Sequence, residues 1–381
     1  MNKYLELTMT HRVDILGKKM MGWLAPLMLA LTLMVSSCSP ATEGQEGNDA
    51  WVTLTISTGG GAADGGEGMA SRASGSAADK DWQVNDLTIY IFDQTGQVIG
   101  SSYASYSINS QQDITATVKT RKAQGCTVIA LANAGTLSGT YATAQTTSPF
   151  AGVSTLSEFQ QKYITFKDMA SLESAPCLLM VGYLTGFDTT SSGSNISLQR
   201  LASRLDFTIT VNQDKVTGFP IVVDSYQLCH APLSAYYASA DMSSTGITLP
   251  SGTSFVEYAA NSTAFNSWTS GSNSQSYTAY VYANPATTAT DATYLLIKAH
   301  SQASNTDTRK IWQSEFKVYL TGITGLADYQ LLPNYHYTIG ITVQGSATEH
   351  NGVKTVYTAY PYYSSSLSAW GSNENRDLDM K

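Results

Sequence analysis

Short apolar runs spaced by Ser, Thr, Gly and Tyr recur along most of the chain, and their period is two. Val52, Leu54 and Ile56 share one face of the run Trp51–Ser57, the alternation of a half-buried strand. Leu87–Phe92 is apolar on both faces; the turn residues Asp93-Gln94-Thr95-Gly96 and the return Val98-Ile99 then predict a hairpin. Further strands are expected over 114–118, 128–132 and 178–181. In the second half Leu205, Phe207, Ile209 and Val211 alternate with Asp206, Thr208, Thr210 and Asn212. Val281, Leu296, Phe316 and Val318 mark other strands, and Tyr335, Tyr337, Ile339, Ile341 and Val343 form one apolar stripe. A single segment breaks the pattern: Thr155-x-x-Glu158 reads as a capping box, and Leu156, Phe159, Tyr163 and Phe166 follow at helical steps, predicting a helix over 155–167. The expected fold is all-β, two β-sandwiches in tandem with one or two short helices.

The ends of the pattern divide the chain. Lys18 and Lys19 precede the apolar stretch Trp23–Val35, which closes on Val35-Ser36-Ser37-Cys38. That is a lipoprotein signal over 1–38, with small residues before a Cys38 thiol that accepts diacylglycerol; an ordinary secretory signal with a chance cysteine is the alternative. Met1–Gly17 is long for the charged region of a signal, so Met20 or Met21 is a candidate start. Residues 39–81 hold a polar spacer, the isolated strand 51–57 and a glycine-rich, protease-sensitive linker whose cations are Arg72 and Lys80. Residues 82–194 are expected to form the N-terminal sandwich, completed by strand 51–57, and 195–381 the C-terminal one.

Composition narrows the function. Only 13% of the 381 residues are charged, against 43% hydrophobic, so the chain can bury a core. Its net charge is −8 with scattered cations, which excludes nucleic acid as a partner. The 23 tyrosines suit sheets. Cys126, Cys177 and Cys229 are an odd set without C-x-x-C spacing, and read as buried thiols rather than disulfides or metal ligands. His11, His230, His300, His336 and His350 lack ligand spacing; Cys229 and His230, neighbours on a strand, face opposite ways. No G-x-S-x-G, H-E-x-x-H, phosphate-loop or EF-hand pattern occurs. No catalytic residue, metal or cofactor is expected, and the chain does not read as an enzyme. Arg200 and Arg204 are expected on one strand face, snorkelling at a sandwich edge. Tyr236, Tyr237, Tyr258, Tyr277 and Tyr280, with Trp268, are candidates for a sugar-stacking surface, though ordinary strand positions explain most of them.

Five segments carry a family resemblance. Trp82–Asp93 followed by Gly96 resembles the first strand of mature bacterial fimbrillins, the FimA/Mfa-like subunits of type V pili. Val128–Ala134, Leu198–Phe207, Tyr280–Pro285 and Pro333–Ile339 resemble later signatures of the same family, in family order. The resemblance implies transthyretin-like, Greek-key sandwiches and a precursor exported as a lipoprotein to the outer membrane and cell surface. It further implies loss of the lipidated segment to an Arg-specific or trypsin-like protease, and polymerisation into fimbriae with other subunits by donor-strand exchange. In this chain Arg72 fits the cleavage position, with Lys80 as the alternative.

Removal of strand 51–57 would forfeit roughly 5–9 kcal/mol of apolar burial from Val52, Leu54 and Ile56. A domain stable by only about 5–15 kcal/mol could not leave that groove empty comfortably, and a strand from another subunit could refill it. The candidate donor is Val353–Tyr360, with Val356 and Tyr360 on one face and Val353 and Tyr357 on the other; Pro361 ends it, and Leu367–Trp370 is a shorter possibility. The segment could equally complete the chain's own second sandwich. The alternative to a processed subunit is an uncleaved surface lipoprotein serving as pilus anchor, tip adhesin or glycan-binding module, with host or bacterial surface ligands.

Overall fold

The structure, a computed structural model, describes residues 48–58, 80–143, 149–191, 193–215, 217–241, 248–268, 273–320 and 329–346, and the backbone of 353–361. The first strand, β1 (Asp49–Ser57), turns Val52, Leu54 and Ile56 inward and Trp51 and Thr53 to solvent. The expected hairpin is present as β2 (Val84–Phe92) and β3 (Val98–Ile108), joined by a turn in which Gly96 takes φ 79°. After β4 (Asp113–Arg121), strand β5 (Cys126–Ala132) leads into the short helix α1 (Ala134–Leu137). Helix α2 (Leu156–Gln160), strand β6 (Tyr163–Thr165) and helix α3 (Met169–Ser174) follow, then β7 (Met180–Phe187), β8 (Ser194–Ser197) and β9 (Gln199–Arg200). Two sheets result, ordered β4-β1-β8 and β3-β2-β5-β7-β9.

Strands β2 and β5 are apolar on both faces because the five-stranded sheet is covered on both. Leu87, Ile89, Val128 and Ala130 face the β4-β1-β8 sheet across the first core. Phe92, Ile129 and Leu131 face the other way, and the Phe92 ring meets Phe159 of α2 edge-on at 5.7 Å. The helix expected over 155–167 is shorter. Its capping box forms, with Glu158 N donating to Thr155 Oγ1 and Thr155 N to Glu158 Oε2, both at 3.2 Å, but it ends at Gln160. Ile164 and Phe166 are buried while Tyr163 between them and Phe159 is exposed, a strand alternation that the helical spacing of Phe159, Tyr163 and Phe166 had obscured. The strand outcome depends on a remote partner, Ser234–Tyr236.

The second half begins with β10 (Ala202–Val211) and β11 (Ile221–Cys229), then short pieces β12 (Ala231–Pro232), β13 (Ser234–Tyr236), β14 (Phe255–Val256) and β15 (Phe265–Asn266). Strands β16 (Ser274–Tyr282), β17 (Tyr294–Gln302), β18 (Lys310–Tyr319), β19 (Tyr335–Val343) and β20 (Val353–Pro361) complete it. The sheets β16-β10-β19-β20 and β15-β11-β17-β18 enclose a core of Leu205, Phe207, Ile339, Leu295 and Phe316, among others. Strand β10 runs parallel to β19 with Phe207 opposite Ile339. Strand β13 pairs antiparallel with β6, with Ala235 opposite Ile164. Because Phe92, Leu131 and Phe159 join the same cluster as Leu205 and Phe207, the second core continues onto the back of the first sandwich. The chain crosses between the sheet pairs after Arg200 rather than near residue 195, since β8 and β9 both pair within the first.

Candidate functional site

The strand that the sequence marks for displacement is the middle member of its sheet. Strand β1 pairs antiparallel with β4 along its length, Val52 opposite Val118, Leu54 opposite Ala116 and Ile56 opposite Ile114. It pairs in parallel with β8 over Leu54–Ser57 alone, Ile56 opposite Ile196. The inward side chains of Val52, Leu54 and Ile56 are fully buried, whereas Trp51 is 68% exposed. At the far end Leu198 N donates to Ser57 O at 2.8 Å, and Thr58, itself fully buried, exchanges two hydrogen bonds with the Gln112 backbone at 2.9 and 3.0 Å. At the near end Lys122 N donates to Asn48 O at 2.8 Å, and Lys119 meets Asp49 at 2.8 Å in solvent, a contact of little energetic weight. The slot therefore has two walls, β4 and β8, and a floor of Leu87, Ile89, Val128, Ala130 and Met180.

Lys80, the alternative processing residue, is tied down. Its ammonium donates to the carbonyls of Leu172 at 3.3 Å and Glu173 at 3.1 Å and lies 4.2 Å from the centroid of the Tyr280 ring. A protease needs an extended, accessible segment, so these bonds oppose cleavage there. Cys38, Arg72 and the shorter donor candidate 367–370 lie outside the described residues. The main donor candidate, with Val353, Val356, Tyr357 and Tyr360, forms β20, whose backbone pairs antiparallel with β19 at the sheet edge, Val356 opposite Gly340 and Tyr360 opposite His336.

Arg200 corrects an expectation. It lies on β9 of the first sandwich and Arg204 on β10 of the second, so the two do not share a strand. Arg200 is fully buried rather than snorkelling: its Nε donates to Asp81 O at 2.7 Å and its guanidinium lies 4.7 Å from the Trp82 ring centroid. Arg204 reaches Asp81 at 3.3 Å and Asp206 at 3.0 Å. Burial alone would raise the Asp206 carboxyl, but hydrogen bonds from His336 at 2.6 Å, Thr278 at 2.6 Å and Arg204 outweigh it and hold the group at about 2. The residues just after the linker are thus fastened to both sandwiches.

Sequence reasoning missed Asn133. It is fully buried at φ 70°, donates to Gln83 O at 2.7 Å and Leu178 O at 2.6 Å, and accepts from Asn85 N at 2.8 Å. Beside it Asp86 accepts from Gly135 N and Thr136 N, fixing the turn from β5 into α1. The motif ending 128–134 on an Asn was visible; the bonds that need it were not. Tyr237 and Tyr258 are core residues, the former bonded to Ser138 at 2.9 Å, so the tyrosine set with Trp268 does not form one exposed platform. Cys126, Cys177 and Cys229 are buried free thiols, and burial pushes Cys177 up to about 12. Among the described residues no cluster of metal-ligating side chains occurs, and no helix is long and apolar enough to cross a membrane.

The chain is all-β, and β1 fills a slot between a nine-residue wall and a four-residue one. Residues 51–199 match the family model described as major fimbrial subunit protein (FimA), a span that opens on β1 and closes on β9. The match covers that region alone and marks it as similar to fimbrial subunits. A Parabacteroides distasonis protein, provisionally described as a cell adhesion protein, shares the fold with TM-score 0.58 and 19% identity, covering 78% of this chain and 89% of its own. The tip fimbrial protein Mfa3 of Porphyromonas gingivalis, with a C-terminal truncation, aligns with TM-score 0.50 and 13% identity over 82% of this chain and 99% of its own. A Bacteroides eggerthii protein, likewise provisionally described as a cell adhesion protein, gives 0.51 and 18% over 84% and 98%. No curated protein sequence matches the chain.

Proposed function

We propose that this chain is a subunit of cell-surface fimbriae, exported as a lipoprotein through Cys38, cut after Arg72, and assembled when another subunit's strand takes the place of β1. The observation that carries the reading is the position of Val52, Leu54 and Ile56: fully buried, in the middle of a sheet, yet joined to the rest of the chain through the segment that holds Arg72. A strand so placed contributes roughly 5–9 kcal/mol through three side chains, so its loss creates a strong demand for a replacement. The replacement binds by strand addition, with backbone bonds to β4 and β8 supplying affinity and alternate side chains supplying register. The domain division of two sandwiches, the first completed by β1, is part of the same proposal.

A second reading has its own support. Strand β20 pairs with β19 of its own chain, which favours a subunit at the end of a fimbria, tip or anchor, over a stalk subunit that gives this strand away. N-terminal sequencing and mass analysis of protein released from the cell surface tests the main reading. A mature chain of 309 residues starting at Ala73 is expected. Polymer built from chains that still carry a lipidated Cys38 would overturn it.

A further inference from the structure

The two walls of the slot are unequal. Strand β4 spans nine residues and β8 four, and among the described residues each pairs in its sheet with β1 alone. If β1 departs, neither wall has a ladder left, and a wall without other support would fold into the vacancy. What holds it lies beneath. In β7, a Cβ on Gly182 would stand 2.5 Å from Ile196 Cγ2 and 2.7 Å from the Ser197 carbonyl oxygen, so β8 rests directly on the floor backbone at this point. Under the other wall, a Cβ on Gly100 of β3 would stand 2.8 Å from the Lys119 carbonyl oxygen and 2.9 Å from Thr120 Cβ. Beside it Thr120 Oγ1 donates to Ile99 O at 3.1 Å. Immediately after β8, Gln199 and Arg200 pair with Val181 and Met180, the two residues directly before Gly182 in β7. None of these contacts passes through β1.

We infer that Gly100 and Gly182 are positioning residues for strand exchange: they seat β4 and β8 on the floor so that the empty slot keeps the width of one strand. Two walls flanking a single strand stand roughly 9.5 Å apart, twice the ladder spacing, and a shift of a few tenths of an ångström at either wall lengthens bonds to the incoming strand. This inference rests on the refilling of the slot proposed above, and it adds that the slot is preformed rather than rebuilt around each occupant.

The test uses the full chain carrying Ile56→Asp, which drives β1 out by placing a carboxylate in the core. A fluorescent synthetic peptide with the sequence of residues 48–58 is titrated into that chain, alone and with Gly182→Ala or Gly100→Ala added. Val211→Ala, a buried change in the second sandwich, serves as the control for stability. The glycine variants are expected to weaken peptide capture about tenfold, the effect of one or two impaired ladder bonds, while the control captures as its parent does. Hydrogen exchange of the Ile56→Asp chain gives a readout that needs no glycine variant: the floor strands 84–92 and 126–132, with Gln199 and Arg200, are expected to stay protected while 49–58 exchange freely. Equal capture by the glycine variants and their parent, or an equal loss in the Val211 control, would overturn the inference. So would exchange of the floor strands together with 49–58. Failure of the Ile56→Asp parent to capture any peptide would instead remove the refilling reading on which the inference stands.

Discussion

Truncating the middle side chain of β1 separates a strand that is kept from one that is discarded. Leu54 is fully buried, with Ala116 and Ser194 as its small in-register neighbours and the floor of the slot beneath it. Small neighbours cannot swing into the space a missing isobutyl group leaves, so Leu54→Ala combines lost transfer energy with a cavity. Such substitutions cost about 2–5 kcal/mol, and this site should fall near 3. Against a stability of about 5–15 kcal/mol, that is a large fraction. Urea unfolding of the full-length precursor, followed by intrinsic fluorescence, should show the loss. The same experiment on subunits recovered from fimbriae should show none, because another strand then fills the slot. Equal destabilisation of both forms would mean that β1 stays with its chain; no destabilisation of the precursor would mean that the burial contributes nothing.

Three further outcomes follow from the same geometry. In a Cys38→Ser chain, Cys126 belongs to the first core and Cys177 and Cys229 lie outside it, so all three thiols should resist a maleimide reagent until β1 is withdrawn, after which mass mapping should find Cys126 labelled first. Labelling of all three together would indicate global unfolding instead. The folded value of Asp206 lies below the ordinary 3.8, so its contribution is complete above that pH and lost as pH falls through about 2. Asp206→Asn should therefore cost about 2 kcal/mol at pH 6 and little at pH 2, read by urea midpoints at both; a difference that persists at pH 2 would contradict the assignment. Asn133→Ala, which removes three hydrogen bonds to buried backbone and places alanine at φ 70°, should destabilise by about 2–4 kcal/mol, whereas Asn133→Gly, free of the conformational cost, should lose less; equal losses would argue against the strain component.

Local alternation made most strands legible. Val52-x-Leu54-x-Ile56 and Leu205-x-Phe207-x-Ile209 predicted buried faces because a half-covered strand needs nothing but its own period to declare itself. The double-faced run 87–92 also spoke plainly, since only a strand covered twice can be apolar throughout. What failed depended on partners far away in sequence. Tyr163–Thr165 has helical spacing from Phe159 but becomes a strand by pairing with Ser234–Tyr236. Arg200 looked like a surface cation because nothing nearby announced that Asp81 and Trp82 would enclose it. The parallel pairing of β8 with β1, which makes β1 central, is likewise invisible to any local window. Gly182 carries no turn signal; its requirement comes from a chain segment crossing over it.

A disulfide between β1 and its long wall addresses strand replacement most directly. Thr53 and Thr117 face each other across the ladder on the solvent side, away from the core. A chain with both changed to cysteine, oxidised and then cut by protease in the linker, is expected to remain monomeric on a non-denaturing gel and to form polymer ladders once a reducing agent frees β1. Ladders that form with the disulfide intact would contradict replacement of β1.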